Sequence, residues 1–189
     1  MRIYNSLSAE RLNEIIGGFS KLRIGVAGDF FLDKYLEVDP ALAEVSLETG
    51  KTSHQVVRVR HSPGAAGNVV SNLAALGIGA LYAVGFTGDD GEAYELRKDL
   101  AAIGCKTEHL HCDPKRMTPT YLKPRDKDSP GLKAEHNRYD TKNRTATPAV
   151  MTRLIIESIE KLLPVLDALI ILDQVDEEGC GAISSEVVG

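Results

Sequence analysis

Ser62-Pro63-Gly64-Ala65-Ala66-Gly67-Asn68 is a run of small residues that opens onto an apolar helical repeat. From Asn68 to Leu76, apolar residues recur at Val69, Leu73 and Leu76, and Gly77 is a natural stop. The run therefore predicts an exposed helix start, with unpaired backbone N–H groups and few side chains to hold a polar ligand away from them. Asn68 adds one amide just inside that start. Upstream stands Gly25-Val26-Ala27-Gly28-Asp29-Phe30-Phe31-Leu32-Asp33, an apolar strand running into two carboxylates. Downstream, Leu81 to Val84 reads as a second buried strand. Strand, helix start and strand together make a crossover, and this crossover decides the fold class.

The same alternation continues outward. Ser8 caps a short amphipathic helix with Leu12, Ile15 and Ile16 at helical spacing, closed by Gly17-Gly18. After Leu81–Val84, Gly85-Phe86-Thr87-Gly88-Asp89-Asp90-Gly91 leads into a helix over Glu92–Ile103, stopped by Gly104. Cys105–Cys112 alternates like a strand. Thr118–Lys123 and Glu135–Asp140 read as a strand pair around Ser129-Pro130-Gly131. Thr147-Pro148 starts a helix reaching about Leu163, and Ala168–Leu172 is a last buried strand ended by Asp173. The sum predicts an α/β protein: three layers, a mainly parallel sheet with helices on both faces. Between Lys34 and His61 the pattern breaks. Asp39-Pro40, Gly50 and the β-branched run Gln55–Arg60 predict two or three strands outside the central sheet, a flap or small accessory sheet.

Composition narrows the function classes. The 189 residues carry a formal charge of −5 with no clustered basic stripe, which argues against nucleic acid as a partner. No segment has the length of a membrane span, and Met1–Ser6 lacks a signal-peptide core. Three scattered cysteines form no disulfide framework, so a reduced, cytoplasmic setting is expected. Gly50-Lys51-Thr52 lacks the leading glycine of a phosphate-binding loop, since Val45 occupies that position. Gly77-Ile78-Gly79 lacks the third glycine of a dinucleotide fingerprint. Cys105, His109, His111 and Cys112 match no zinc spacing and read as a strand face, with no metal expected. His54, His61 and His136 read as isolated surface histidines, and Asp89 and Asp90 as caps of the following helix.

In parallel sheets ligands bind at the carboxyl ends of strands, where Asp29, Asp33, Gly85 and Asp173 all fall. Carboxylates facing a glycine-rich helix start suit a ligand rich in hydroxyls, and a sugar is the obvious one. Asp33 can accept from two neighbouring hydroxyls, and Asn68 can donate and accept, or else bond the backbone of its own helix start. The candidate substrate-binding set is Asp29, Asp33, Gly64, Ala65 and Asn68.

Together these residues resemble the ribokinase-like (PfkB) carbohydrate kinases, most closely the branch containing heptose phosphate kinases. Val26–Tyr35 resembles that branch's opening motif, Gly-Asp, three residues, Asp, a basic residue and Tyr. Pro63–Asn68 resembles its Pro-Gly-Gly-Ala-Ala-Asn segment, Val84–Gly91 its Val-Gly-x-x-Gly-x-Asp turn, and Ile170-Ile171-Leu172-Asp173 its later strand ending in Asp. The resemblance implies that Asp33, Gly64 and Asn68 bind sugar hydroxyls and that 34–61 is a lid, with 1–33 and 62–189 the N-terminal part of a kinase domain. It implies ATP and Mg²⁺ as cofactors of the complete enzyme, with Asp173 on the phosphate and magnesium side, and a homodimer formed through the lid. Arg138 and Asp140 match positions of the heptose branch without an assigned role.

The chain also departs from the pattern. Ala65 stands where the second glycine would be, and Gln174–Gly179 lacks the Tyr-x-Lys-Gly segment, which argues against heptose phosphate as the specific substrate. The resemblance covers about the first half of the family's domain. The Gly-Ala-Gly-Asp anion hole and catalytic base are expected beyond Gly189, so no catalytic residue is assigned here and no ATP binding is expected of this chain alone. The rival expectation is a non-catalytic sugar-binding or dimerisation module.

Overall fold

A computed structural model describes residues 7–129, 131 and 134–188, so part of the expected turn at Ser129-Pro130-Gly131 lies outside the described residues. The central sheet is formed by β1 (Arg23–Gly28), β4 (Ala80–Thr87), β5 (Cys105–Cys112) and β8 (Ala168–Leu172), in the order β5-β4-β1-β8 with every pairing parallel. Both faces of its inner strands are apolar, as a sheet covered on two sides requires. Ile24 and Val26 of β1 with Leu81 and Ala83 of β4 meet α2 (Ala66–Ala75) and α3 (Gly91–Ala102) through Val70, Leu96 and Leu100. On the other face Ala27, Val84 and Phe86 pack against Met151 and Ile155 of α4 (Ala149–Leu162). Each large side chain so buried stabilises the fold by about 1.5–3 kcal/mol relative to exposure. The expected three-layer architecture is therefore present.

Close approaches explain the glycines of β1 and β4. A Cβ at Gly28 would stand 2.5 Å from the Leu172 carbonyl oxygen, and one at Gly85 would stand 2.5 Å from that of Gly28. At the N-terminus, α1 (Ala9–Gly18) is capped by Ser8, which accepts from the Arg11 N–H at 3.2 Å, yet none of its residues is buried. A short α5 (Ser185–Val188) ends the described chain. No helix among the described residues is long and apolar enough to cross a membrane.

The accessory sheet is larger than expected. A long hairpin of β2 (Phe30–Val45) and β3 (Thr52–Ala65) is joined by β6 (Thr120–Asp126), parallel to β2, and by β7 (Tyr139–Thr141), antiparallel to β6. It does not stop at residues 34 and 61. Phe30 and Leu32 are rooted in the central core, and the same strand runs on out of it without a break. The Gly50-Lys51-Thr52 segment lies at the hairpin turn, with Gly50 at φ 68°, and not at a strand-to-helix junction.

Candidate functional site

The site begins where the two sheets meet. Register pairs Phe31 with Gly64 and Asp33 with Ser62, so these residues share one face of the hairpin. Oδ2 of Asp33 lies 3.1 Å from the position a Gly64 Cβ would take, so the missing side chain lets the carboxylate rest against the backbone. Gly67 is equally constrained, since a Cβ there would stand 2.6 Å from the Pro63 Cβ. The helix starts two residues before the expected point, at Ala66, because Ala65 turns the chain with φ 51° and ψ −121° and Ala66 donates to the Asp29 carbonyl at 2.9 Å. Asn68 thus sits in the first turn of α2, exposed to solvent. Asp33 and Gly64 are brought together, with Asn68 on the next element.

A residue the sequence did not single out completes the Asp33 environment. Lys123 of β6 donates from Nζ to Oδ1 of Asp33 at 2.6 Å, and its side chain is only 15% exposed. Its ammonium also lies 5.1 Å from the Tyr35 ring centroid and 5.8 Å from that of Tyr121. Burial pulls the Lys123 pKa down, but the hydrogen bond and charge of Asp33 outweigh it and leave the value raised. Arg138 stacks 4.2 Å from the Tyr121 centroid and grips Asp140 at 2.6 and 2.7 Å. Tyr121 in turn meets Phe31 edge-on at 5.3 Å. Hydroxyl-accepting carboxylate, ammonium and aromatic faces on one sheet surface form a wall chemically suited to a polyol.

Asp29 and Asp173 lie elsewhere. Asp29 is 5% exposed, and both its oxygens are engaged: Oδ1 accepts from the Ala182 N–H at 2.7 Å and Oδ2 from the Gln174 N–H at 3.0 Å. Burial raises its pKa against the opposing pull of those backbone donors. In this arrangement its carboxylate ties the segment after β8 back to the end of β1. Asp173 is exposed at the end of β8, on a cavity of about 480 Å³ shared with Asp176, Glu177 and Glu178. Lys142 and Arg144 each reach Glu177 at 3.4 Å.

Several side chains shape the loops around this centre. Arg116 sends its buried guanidinium to the carbonyls of Thr145, Ala146 and Cys180 at 3.0, 3.1 and 2.8 Å, joining three loops. Asp90 caps α3 as expected, accepting from Ala93 at 2.8 Å, and its other oxygen accepts from Thr118 at 2.8 Å. None of the three histidines expected to be isolated is so, and the His54 and His136 ring centroids lie 5.3 Å apart. His61 lies 2.7 Å from Asp99 and 3.1 Å from Glu95, and His136 lies 2.9 Å from Asp126. Their carboxylate partners stand on α3 and β6, so single-sequence spacing gave no sign of the pairs.

The family model described as pfkB family carbohydrate kinase matches residues 33–161. Among curated proteins, the bifunctional protein HldE of Koribacter versatilis (strain Ellin345) is 29% identical over 165 residues, covering 87% of this chain and 32% of that protein. HldE of Rhodopseudomonas palustris (strain BisA53) is 30% identical over 154 residues, covering 77% and 29%. HldE of Methylobacillus flagellatus is 37% identical over 103 residues, covering 54% and 20%. The chain thus spans between a fifth and a third of these relatives. Of solved structures, the PfkB protein from Polaromonas sp. JS666 superposes with TM-score 0.52 at 21% identity, covering 78% of this chain and 43% of that one. A carbohydrate kinase from Agrobacterium tumefaciens gives TM-score 0.54 at 14% identity, covering 79% and 45%.

Proposed function

The chain belongs to the pfkB family of carbohydrate kinases, and on that premise we propose that it supplies the sugar-binding part and lid of a kinase that phosphorylates a sugar or sugar-phosphate hydroxyl. The observation that carries this reading is the Asp33 carboxylate resting on Gly64, with Oδ1 held by Lys123 and Oδ2 against the bare backbone. An ionised carboxylate in that position accepts hydrogen bonds from sugar hydroxyls. Asn68, in the first turn of α2, is assigned a second polar contact, and Ala65 lines the approach with its methyl. The second sheet acts as the lid over the sugar.

ATP and Mg²⁺ are the cofactors of the family's complete enzymes. The described residues after β8 do not fit a triphosphate. Asp173, Asp176 and Glu178 offer a triphosphate no donor, Lys142 and Arg144 are taken up by Glu177, and the Cys180 N–H between the two glycines already bonds the Glu177 carbonyl at 3.0 Å. We therefore assign no nucleotide cradle or catalytic base among the described residues and derive no transfer step here. Asp173 keeps its proposed place on the phosphate side of the cleft, and the Asp29 pairings fit a role in holding that segment in place.

The test is sugar binding followed by amide NMR, using ribose, fructose and mannose, each free and as its terminal phosphate ester. Shifts at Gly64 and Asn68 are expected in the native chain and persist in Asp33→Asn only at about tenfold or more sugar, as affinity falls. Equal affinity in Asp33→Asn removes Asp33 from the site. A second reading, a dimerisation module, draws on Leu42, Val45, Leu47, Val56, Val57 and Val59, all exposed on the β2–β3 hairpin. In it a second copy covers the hairpin, giving the homodimer through the lid.

A further inference from the structure

Resting on the reading of Asp33 as the sugar-binding carboxylate, we infer that Lys123 is its positioning residue. The ammonium, bound to Oδ1, fixes the carboxylate so that Oδ2, the oxygen over Gly64, is the one offered to a sugar hydroxyl. A carboxylate's terminal torsion is broad and nearly two-fold, so Asp33 alone has no preferred oxygen to present. Lys123 removes that freedom because it is itself immobilised. β6 runs parallel to β2 with Tyr121 opposite Asp33 and Lys123 opposite Tyr35, which puts all four side chains on one face. The ammonium sits 2.6 Å from Oδ1 and 3.5 Å from the Tyr35 hydroxyl, and the Tyr35 and Tyr121 rings flank it. A solvated lysine keeps its head in water, whereas this one is 15% exposed, and Asp33 beside it is 20% exposed. Arg138, stacked 4.2 Å from the Tyr121 centroid and paired with Asp140, buttresses the ring, while the hydrogen bond to Asp33 comes from Lys123.

An ion pair of this kind could serve folding alone, and the two roles separate in a double-mutant cycle. The cycle compares the native chain, Lys123→Met, Asp33→Asn and the double variant, with Kd for the tightest of the free and phosphorylated ribose, fructose and mannose probes read by amide NMR. Positioning predicts that Lys123→Met weakens binding about tenfold in the native background and changes it by less than about twofold in the Asp33→Asn background. The double variant replaces the charged pair by neutral groups of similar shape, so its melting temperature checks that the sheet is intact. Equal losses in both backgrounds, or an unchanged Kd in Lys123→Met, overturn the inference while leaving the sugar site standing. If no probe shifts Gly64 or Asn68 in the native chain, the sugar reading itself falls and takes this inference with it.

Discussion

Ala65 holds φ 51° and ψ −121°, a conformation that costs a residue with a Cβ about 1–3 kcal/mol and glycine almost nothing. Neighbouring contacts enforce it: Ala66 must reach the Asp29 carbonyl at 2.9 Å while β3 stays in register with β2 up to the pair Phe30 and Ala65. Ala65→Gly should therefore stabilise the chain by about 1 kcal/mol after glycine's extra unfolded-state entropy is counted, raising the melting temperature by about 2–4 °C. An unchanged or lower melting temperature would show that no strain is stored there. At this scale much of the candidate site's local geometry was legible. Asp33, Gly64 and Asn68 sit in short local patterns whose geometry follows from a strand end and a helix start. Lys123 was not legible, because it reaches Asp33 across 90 positions of sequence through a parallel strand pairing. Nor were the backbone partners of Asp29, which come from 145 and 153 positions downstream.

Between elements, the accessory sheet is tied to α3 by a row of polar side chains on the face opposite Asp33. Lys34 and His61 pair across β2 and β3, and both point at one stripe of α3: Lys34 to Glu92 at 2.9 Å, His61 to Glu95 at 3.1 Å and to Asp99 at 2.7 Å. Each pair, between a fifth and a third exposed, contributes about 1 kcal/mol to global stability, so the row matters for local opening more than for the fold. The double variant Glu95→Gln, Asp99→Asn should speed amide hydrogen exchange in β3 from Val59 to Ser62 about tenfold while leaving β1 and β4 as they were. Exchange that is unchanged in β3, or faster everywhere, defeats this view of the row as a local tether. The strands and helices themselves were readable from periodicity and from their Ser, Pro and Gly boundaries. Which sheet β6 and β7 would join was not, since strand pairing is set by tertiary contacts that no window of sequence contains.

For the molecule as a whole, two apolar surfaces are exposed where a second copy could dock. One is the β2–β3 hairpin, with Leu42, Val45, Leu47, Val57 and Val59 between 48% and 103% exposed. The other is the flank of the central sheet, where β8 is an outer strand with Ile171 43% exposed and Leu163 and Val165 lie uncovered nearby. A parallel strand is ordinarily covered on both faces, so β8, with Ile171 exposed, is the more general sticking point, while the hairpin offers a surface that two copies can share symmetrically. The net charge of −5 is too small to oppose either contact strongly at physiological salt. Ile171→Lys and Val57→Lys separate them, because each adds a charge to one surface and should cost less than about 0.5 kcal/mol of stability. A lid dimer predicts a discrete two-copy species in sedimentation equilibrium that Val57→Lys converts to monomer and Ile171→Lys leaves intact. Open-ended association abolished by Ile171→Lys alone would instead place the contact on the sheet edge and remove the hairpin as a dimer interface.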